Sequence, residues 1–434
     1  MTNWKPMGAT ATALLLLTGL AGCGGAIDPA PNPGTSGSEA VGTLTMYAAE
    51  GGSSRAFQRA AEDFEAATGN KVNVQVYAYS DLRDKQILEL TSNTGVIDVV
   101  VVDGPIWLEE LKDHLEPLSD RVAGDSFDTG IYVPTYLDMI KSDDTLYGLP
   151  IRIAPWPMMY RADLLKEIGA EVPTTFEQLR DVSLQLKEKT GTYGLSLALK
   201  QTNYLVASWL RFLYGFGGNI LNDDWTKADF NTEEGRSSLQ FLVDLYRVDK
   251  VIPDSALDAE MDGVVTAMQQ GIAAMTFTYA PYYLDMNDKE KSDFAGSFEV
   301  AAVTPYSESS GLSSGAVEIS GWSFAINADS SNKDLAWEFL KFAGSTEEQR
   351  VLALEANNTP TVESVFSDPD FIVAYPAAKS LLEAARSARQ RPGIASWRKV
   401  EDILIRELSA AVNGVKTPDQ ALSDAESAVN EVLG

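Results

Sequence analysis

The hydrophobic pattern in the first part of the chain alternates between strand-like and helix-like segments. Residues 44–49 (LTMYAA) form an apolar run of strand length, and segment 53–69 repeats its apolar residues at helical spacing. The segment KVNVQVY alternates apolar and polar residues, which predicts a strand with one exposed face. The continuous apolar run within GVIDVVVVDG predicts a strand buried on both faces of a parallel sheet.

Helix starts in the rest of the chain are marked by capping-box spacing, found at Thr174–Glu177, Asn231–Glu234, Ser345–Glu348 and Thr417–Gln420. Apolar residues at i, i+3, i+4 and i+7 follow in segments 239–246 and 400–411, which predicts helix faces that pack in a core. Strand–helix alternation followed by mostly helical sequence predicts two α/β lobes with a helix-rich C-terminal part.

The N-terminus carries the features of an exported lipoprotein. Residues 1–22 combine Lys5 with a short apolar stretch and small residues, which is typical of a signal peptide and too short to span a membrane. The only cysteine, Cys23, stands where a bacterial lipobox has its acylated cysteine, which predicts a lipid (palmitate-type) anchor at the cell membrane; in a plain signal peptide it would be incidental. Residues 23–42, dense in Pro, Gly, Ser and Ala, predict a flexible linker.

Charge and composition exclude several classes of function. The 434 residues carry a net charge of −28, with 62 acidic and 34 basic side chains. Contact with nucleic acid or anionic lipid needs clustered Lys and Arg, so we expect neither, and an acyl chain would be the only link to the membrane. A single histidine, His114, leaves no Ser-His-Asp triad or histidine metal cluster. We predict no cofactor and no metal.

Two carboxylates follow predicted strands of the first lobe. Glu50 comes directly after the first strand, and Asp103 follows the buried run DVVVV. In parallel α/β sheets, ligands bind beyond the carboxyl ends of strands, so both side chains are candidates to face one cleft and accept hydrogen bonds from a polyol. The alternative is that each one caps the next helix.

An aromatic set lies in segments rich in proline or glycine. Its members are found in RIAPWPMMY, TYAPYYLDM and ISGWSFAI, and they are Trp156, Tyr279, Tyr282, Tyr283 and Trp322. Sugar rings stack their C–H faces on aromatic planes, while the sugar hydroxyls need polar partners. Any one of these rings could equally be a core residue, but several together in loops favour a sugar site.

Five segments in order resemble the bacterial extracellular solute-binding proteins of sugar-type ABC importers. They are LYGLPIRIAPWPMMYRADLLKEIGAEVPTTFEQL, FNTEEGRSSLQFLVDL, MQQGIAAMTFTYAPYY, the long segment from GWSFAINADSS to NNTPTVESVF, and RQRPGIASWRKVEDIL. The resemblance implies a type II periplasmic-binding-protein-like α/β fold, with two lobes joined by crossover strands around a hinge cleft. The lobes it implies are residues 43–152 with 300–356, and residues 153–299 with 357–434.

The resemblance also implies ligand-binding roles. Glu50 and Asp103 match the family's carboxylates in the first lobe, and Tyr279 and Tyr282 fall in its stacking loop. Gly321 and Trp322 match its Gly-Trp pair, and Arg391 matches its Arg-Pro guanidinium. Trp156 joins them as an aromatic candidate. Arg152 is a departure, since relatives often have Tyr, Asp or Asn there; its guanidinium would either favour an acidic or phosphorylated sugar or pair with a cleft carboxylate.

These features favour a lipid-anchored, monomeric binding protein that captures a mono- to oligosaccharide and delivers it to the permease subunits of an ABC transporter without catalysis. One alternative is a surface glycoside hydrolase that uses Glu50 and Asp103 as its two carboxyls. Another is a structural or adhesive lipoprotein that binds no solute.

Overall fold

The computed structural model describes residues 41–434 apart from 51, 316–317 and 387, and only the backbone of 52, 53 and 80. The predicted signal peptide, the acylated Cys23 and almost all of the predicted linker therefore lie outside the described residues.

The strands in the described residues are, in chain order, β1 (Thr43–Ala49), β2 (Lys71–Tyr77), β3 (Val99–Gly104), β4 (Lys141–Ser142), β5 (Thr145–Leu146), β6 (Gly148–Pro155), β7 (Met158–Arg161), β8 (Tyr193–Ser196), β9 (Ala273–Phe277), β10 (Phe298–Val300), β11 (Glu318–Ile326) and β12 (Arg389–Gln390). The α-helices are α1 (Gly52–Thr68), α2 (Tyr79–Thr91), α3 (Leu108–Leu111), α4 (Ser119–Asp125), α5 (Pro134–Asp138), α6 (Ala162–Ile168), α7 (Phe176–Thr190), α8 (Asn203–Gly215), α9 (Glu233–Val243), α10 (Met261–Gln269), α11 (Tyr282–Met286), α12 (Lys333–Ala343), α13 (Thr346–Glu355), α14 (Pro369–Ala374), α15 (Ala378–Arg386), α16 (Trp397–Val412) and α17 (Pro418–Leu433).

These strands form two main sheets. The larger has the order β12-β11-β3-β1-β2, with β6 also paired to β11, and the smaller has the order β10-β7-β9-β8. The apolar run of β3 is buried at every position and lies parallel to β1, as its composition predicted. Its other neighbour, β11, is antiparallel, so the larger sheet is mixed.

Each sheet has its own hydrophobic core. One cluster of buried residues joins β1, β3, β6 and β11 to α1 and α12, and a second joins β7, β8 and β9 to α7, α8, α9, α16 and α17. Two cores on two sheets confirm the predicted two-lobed α/β fold. We call the parts around the larger and smaller sheets the first and second lobes.

The points at which the chain passes between lobes differ from the predicted boundaries. The boundary after residue 152 would cut β6, whose pairing with β11 continues to Pro155. The boundary after 356 would send residues 362–385 to the second lobe, but their apolar side chains, such as Phe366 and Leu381, pack in the first core. Because β12 also pairs with β11, the last passage comes only after Gln390.

Two of the four predicted helix caps are displaced by one residue. Thr175, rather than Thr174, begins α7 and forms a complete capping box with Gln178, and Thr232, rather than Asn231, caps α9. In both places two neighbouring polar residues could fill the cap position, and the second of the two does so. Ser345 and Thr417 cap α13 and α17 as their spacing predicts.

Candidate functional site

Three strands of the larger sheet bring a carboxylate, an indole and a guanidinium into one row. Trp322 on β11 is paired with Asp103 on β3 and, on its other side, with Arg152 on β6. Residues directly opposite each other on neighbouring strands project to the same face of a sheet. Asp103 and Arg152 are buried and Trp322 is partly buried. We call Asp103, Trp322 and Arg152 the sheet row.

Gly321 plays a different role from its neighbour Trp322. Successive residues of a strand point to opposite faces, so position 321 faces away from the sheet row. A Cβ atom added at Gly321 would lie 2.8 Å from the Arg152 carbonyl oxygen, closer than real Cβ contacts allow. Gly321 therefore permits the close approach of β11 and β6 that holds the row together.

Two further aromatic residues enclose the Asp103 end of the sheet row. The rings of Tyr79, Trp107 and Trp322 lie with centroids 5.0 to 5.8 Å apart, mostly edge to face. The Tyr79 hydroxyl donates a hydrogen bond of 2.7 Å to Asp103 Oδ2. Burial raises the pKa of Asp103 to about 7, although the Tyr79 hydrogen bond and the charge of Arg391 act in the opposite direction.

A second aromatic group stands where the chain first passes between the lobes. Trp156 follows β6 and packs against Tyr279, which follows β9, with centroids 4.3 Å apart. Tyr282 lies 6.3 Å from Tyr279 and donates a hydrogen bond of 2.8 Å to Asp262. Trp156 is only 2% exposed, so it supports the ring of Tyr279 more than it offers a free face of its own.

Arg391 joins the two lobes through two carboxylates. It follows β12, and its guanidinium donates to Glu318 of β11 at 2.5 Å and to Glu401 of α16 at 2.7 Å. Burial alone would lower the pKa of Arg391, but the charges of these two carboxylates more than reverse this and raise it. Arg391 is thus a buried, fully charged group between the lobes, with two of its nitrogen atoms already engaged.

A cavity of about 230 Å³ lies beside this ion-pair group. Its lining includes Tyr79 and Trp107 from the first lobe and Asn203, Arg391 and Glu401 from the second. The partly buried Tyr279 belongs to the same region, because the charges of Arg391 and Asp103 both act on its hydroxyl. Aromatic rings, carboxylates and guanidinium groups of both lobes therefore line this cavity, and the sheet row adjoins it through the contacts of Tyr79 with Asp103 and Trp322.

Comparison with known proteins gives the family. The family model described as bacterial extracellular solute-binding protein matches residues 48–350. This chain belongs to that family. A probable ABC transporter-binding protein of Deinococcus radiodurans is 24% identical over 393 residues, covering 87% of this chain and 90% of the relative. A mannitol-binding protein of Pseudomonas aeruginosa is 23% identical over 372 residues, covering 80% and 82% of the two chains.

A solved structure gives the same result for the fold. The maltose-bound MalE3 of T. maritima is 25% identical to this solute-binding protein, with a TM-score of 0.81 over 89% of this chain and 98% of that one. The predicted type II periplasmic-binding-protein fold is confirmed by this likeness. The prediction of a binding protein rather than an enzyme is likewise confirmed, because the family and its relatives are solute-binding components of ABC transporters.

Glu50 follows β1, and Asp103 lies near the end of β3, the parallel strand beside it. Glu50 is exposed at the end of β1, where its backbone N–H donates to the Tyr77 carbonyl, and no described side-chain contact links it to the sheet row. Within the described residues, no cluster of His, Cys, Asp or Glu is suited to hold a metal ion.

Sequence reasoning missed several residues of this region, above all Tyr79, Trp107, Glu318 and Glu401. Tyr79 and Trp107 shortly follow β2 and β3, which lie parallel on either side of β1, so their rings meet at one edge of the sheet. An aromatic residue just beyond each strand was a usable signal. Glu318 and Glu401 had no such signal in the sequence, because they become neighbours only through their shared contact with Arg391.

In the part of the chain that the structure describes, we find no helix with the length and apolar character needed to cross a bilayer.

Proposed function

We propose that this solute-binding protein captures a sugar between its two lobes and hands it, unaltered, to the permease of an ABC importer. The observation that carries the proposal is the convergence of the sheet row with Arg391 and Tyr279 between the lobes. Trp322, Tyr79 and Tyr279 supply aromatic rings for the C–H faces of a sugar, and Asp103 supplies an acceptor for its hydroxyls.

Two of the similar proteins favour the same solute class. One is named a mannitol-binding protein, and the MalE3 structure holds maltose, so both support a polyhydroxylated solute. A solute held by both lobes would favour the closed arrangement over the open one, because only the closed arrangement offers all the contacts at once. The permease would then recognise the closed form.

We further propose that the protein is a monomer held outside the cytoplasm by lipid on Cys23. The linker of residues 23–42 would let the lobes move while remaining close to the permease, which raises their effective concentration there. The family description as extracellular supports export.

The test is a thermal-shift screen of the soluble part of the protein against neutral and charged mono- and disaccharides, polyols and amino acids, followed by calorimetry. A sugar or polyol at about 100 times its Kd should stabilise the protein by about 2.7 kcal/mol, enough to raise Tm by several degrees. Because the proposed solute is a sugar or polyol, we expect amino acids to give no such shift. A shift with amino acids and none with any sugar or polyol would contradict the proposed solute class.

A further inference from the structure

Two of the buried arginines differ from the others in having no acidic partner. Arg391 is paired with Glu318 and Glu401, and Arg161 is paired with Asp163 at 2.6 Å. Arg152 and Arg211 are only 9% and 1% exposed. Neither forms a salt bridge within the described residues. Among the described residues, these two buried cations thus have no carboxylate within ion-pair distance, although the sequence holds 62 acidic side chains.

Arg211 has other partners that explain its place. Its Nη1 donates to the Trp156 carbonyl at 2.7 Å, and its guanidinium lies over the rings of Phe277 and Trp156, at 4.6 and 5.4 Å from their centroids. Cation–π contacts and a backbone acceptor stabilise a buried guanidinium in this way. Nε and Nη2 of Arg211 are buried without an acceptor, but its bond to the Trp156 carbonyl and its two ring contacts account for the guanidinium without a ligand.

Arg152 has no such partners. No hydrogen bond of its side chain is found among the described residues, and its Nη1 is buried without an acceptor. Besides burial, the groups that act on it are the hydroxyls of Tyr282 and Tyr279, which are neutral at pH 7. Burial lowers the pKa of Arg152 to about 10, so the group remains charged at neutral pH. Of the two roles that the sequence left open, pairing with a cleft carboxylate is not found among the residues that the structure describes.

A buried charge without a partner is costly, and the cost is offset when an opposite charge binds beside it. Arg152 stands in the sheet row beside Trp322, on the face that also carries Asp103. On the basis of the proposed function, we infer that the solute is a sugar bearing an anionic group, a carboxylate or a phosphate, which Arg152 binds while Trp322 stacks on the ring. Guanidinium matches both groups in planar, two-pronged hydrogen bonds.

Calorimetry with matched pairs of sugars tests the inference. The pairs are D-glucose with D-glucuronate, D-galactose with D-galacturonate, and D-glucose with D-glucose 6-phosphate. We expect the wild-type protein to bind the acidic member of at least one pair roughly tenfold or more tightly than the neutral member, as the loss of one charged hydrogen bond would imply. The uronates and the phosphate separate the two sources of negative charge.

Three variants assign the preference to Arg152. Arg152→Gln should abolish it, with little change for the neutral sugar, while Arg152→Lys should keep part of it. Arg161→Gln, which removes a buried arginine whose described ion pair is with Asp163, should leave it unchanged. Without solute, Arg152→Gln should be at least as stable to urea as the wild type, because an unpaired buried charge is removed.

The outcomes separate the inference from the proposed function. Neutral sugars that bind as tightly as acidic ones would overturn the inference and leave the proposed function standing. An acidic preference that survives in Arg152→Gln would overturn the assignment to Arg152. If no sugar or polyol in the earlier screen binds at all, the proposed function fails and the inference fails with it.

Discussion

Arg391 holds together a buried group of three charges, so its replacement should destabilise the fold. The resemblance to the family implies that its guanidinium grips sugar hydroxyls, but in the structure its Nε and Nη1 bind Glu318 and Glu401. Replacing Arg391 with Met would leave these two carboxylates close together and without their cation. The variant therefore tests stability first and affinity second.

The size of the effect follows from burial. The side chains of Arg391, Glu318 and Glu401 are 7%, 1% and 16% exposed, so water screens their charges little. Removing one partner of a buried ion pair costs about 3–5 kcal/mol, because the remaining charge stays buried and uncompensated. We expect Arg391→Met to lower the free energy of unfolding by about this amount. Neutralising the carboxylates as well, in Glu318→Gln/Arg391→Met/Glu401→Gln, should recover most of it.

Urea unfolding followed by tryptophan fluorescence measures these differences by linear extrapolation. Arg386→Met is the matched control, because Arg386 also contacts two carboxylates, Glu363 and Glu383, but lies on the surface with 43% exposure. It should leave stability essentially unchanged. The reasoning is refuted if Arg391→Met unfolds at the same urea concentration as this control, or if the triple variant is less stable than the single one.

Three further predictions concern other parts of the molecule. Trp322→Ala should weaken sugar binding in calorimetry by about 1–3 kcal/mol, because it removes a stacking face. The control Trp225→Ala removes an exposed indole and should leave the affinity unchanged. Equal affinity in both variants would remove Trp322 from the site. The pKa of Asp103 is about 7 in the folded protein and near 3.8 when unperturbed, so the folded state binds the proton more tightly. The free energy of unfolding should therefore fall by up to about 4 kcal/mol as pH rises from about 4 to 7, and it should level off above that. Urea titrations of Asp103→Asn should lack this component, and a wild-type-to-variant difference that is constant across this pH range would contradict the buried carboxyl. Cys23→Ser should leave calorimetric affinity intact and release the full-length protein from membranes on cell fractionation; a variant that remains in the membrane pellet would rule out the lipid anchor.

Local patterns in the sequence were sufficient to predict several of the strands and helices and the class of fold. The alternation in β2, the continuous apolar run of β3 and the caps at Ser345 and Thr417 each depend on residues close together in the chain. Such signals express backbone geometry and burial, which act over a few residues. Two of the caps were displaced by one residue because adjacent polar side chains satisfy the same local rule equally well.

Partners that are distant in sequence were decided only by tertiary structure. Asp103, Trp322 and Arg152 face one another because β3, β11 and β6 pair in one register, and a slip of a single residue would turn a side chain to the opposite face.

The pairing of buried charges was likewise decided only by the tertiary structure. Arg391 and Arg152 are both plausible ligand-binding residues in the sequence, yet folding surrounds one with two carboxylates and leaves the other with neutral tyrosines. The sequence by itself determined which charged side chains exist, the strands and helices that carry them and the class of fold. The energy of each buried charge depends on the atoms that the fold assembles around it, so only the tertiary structure decided which cation is already neutralised.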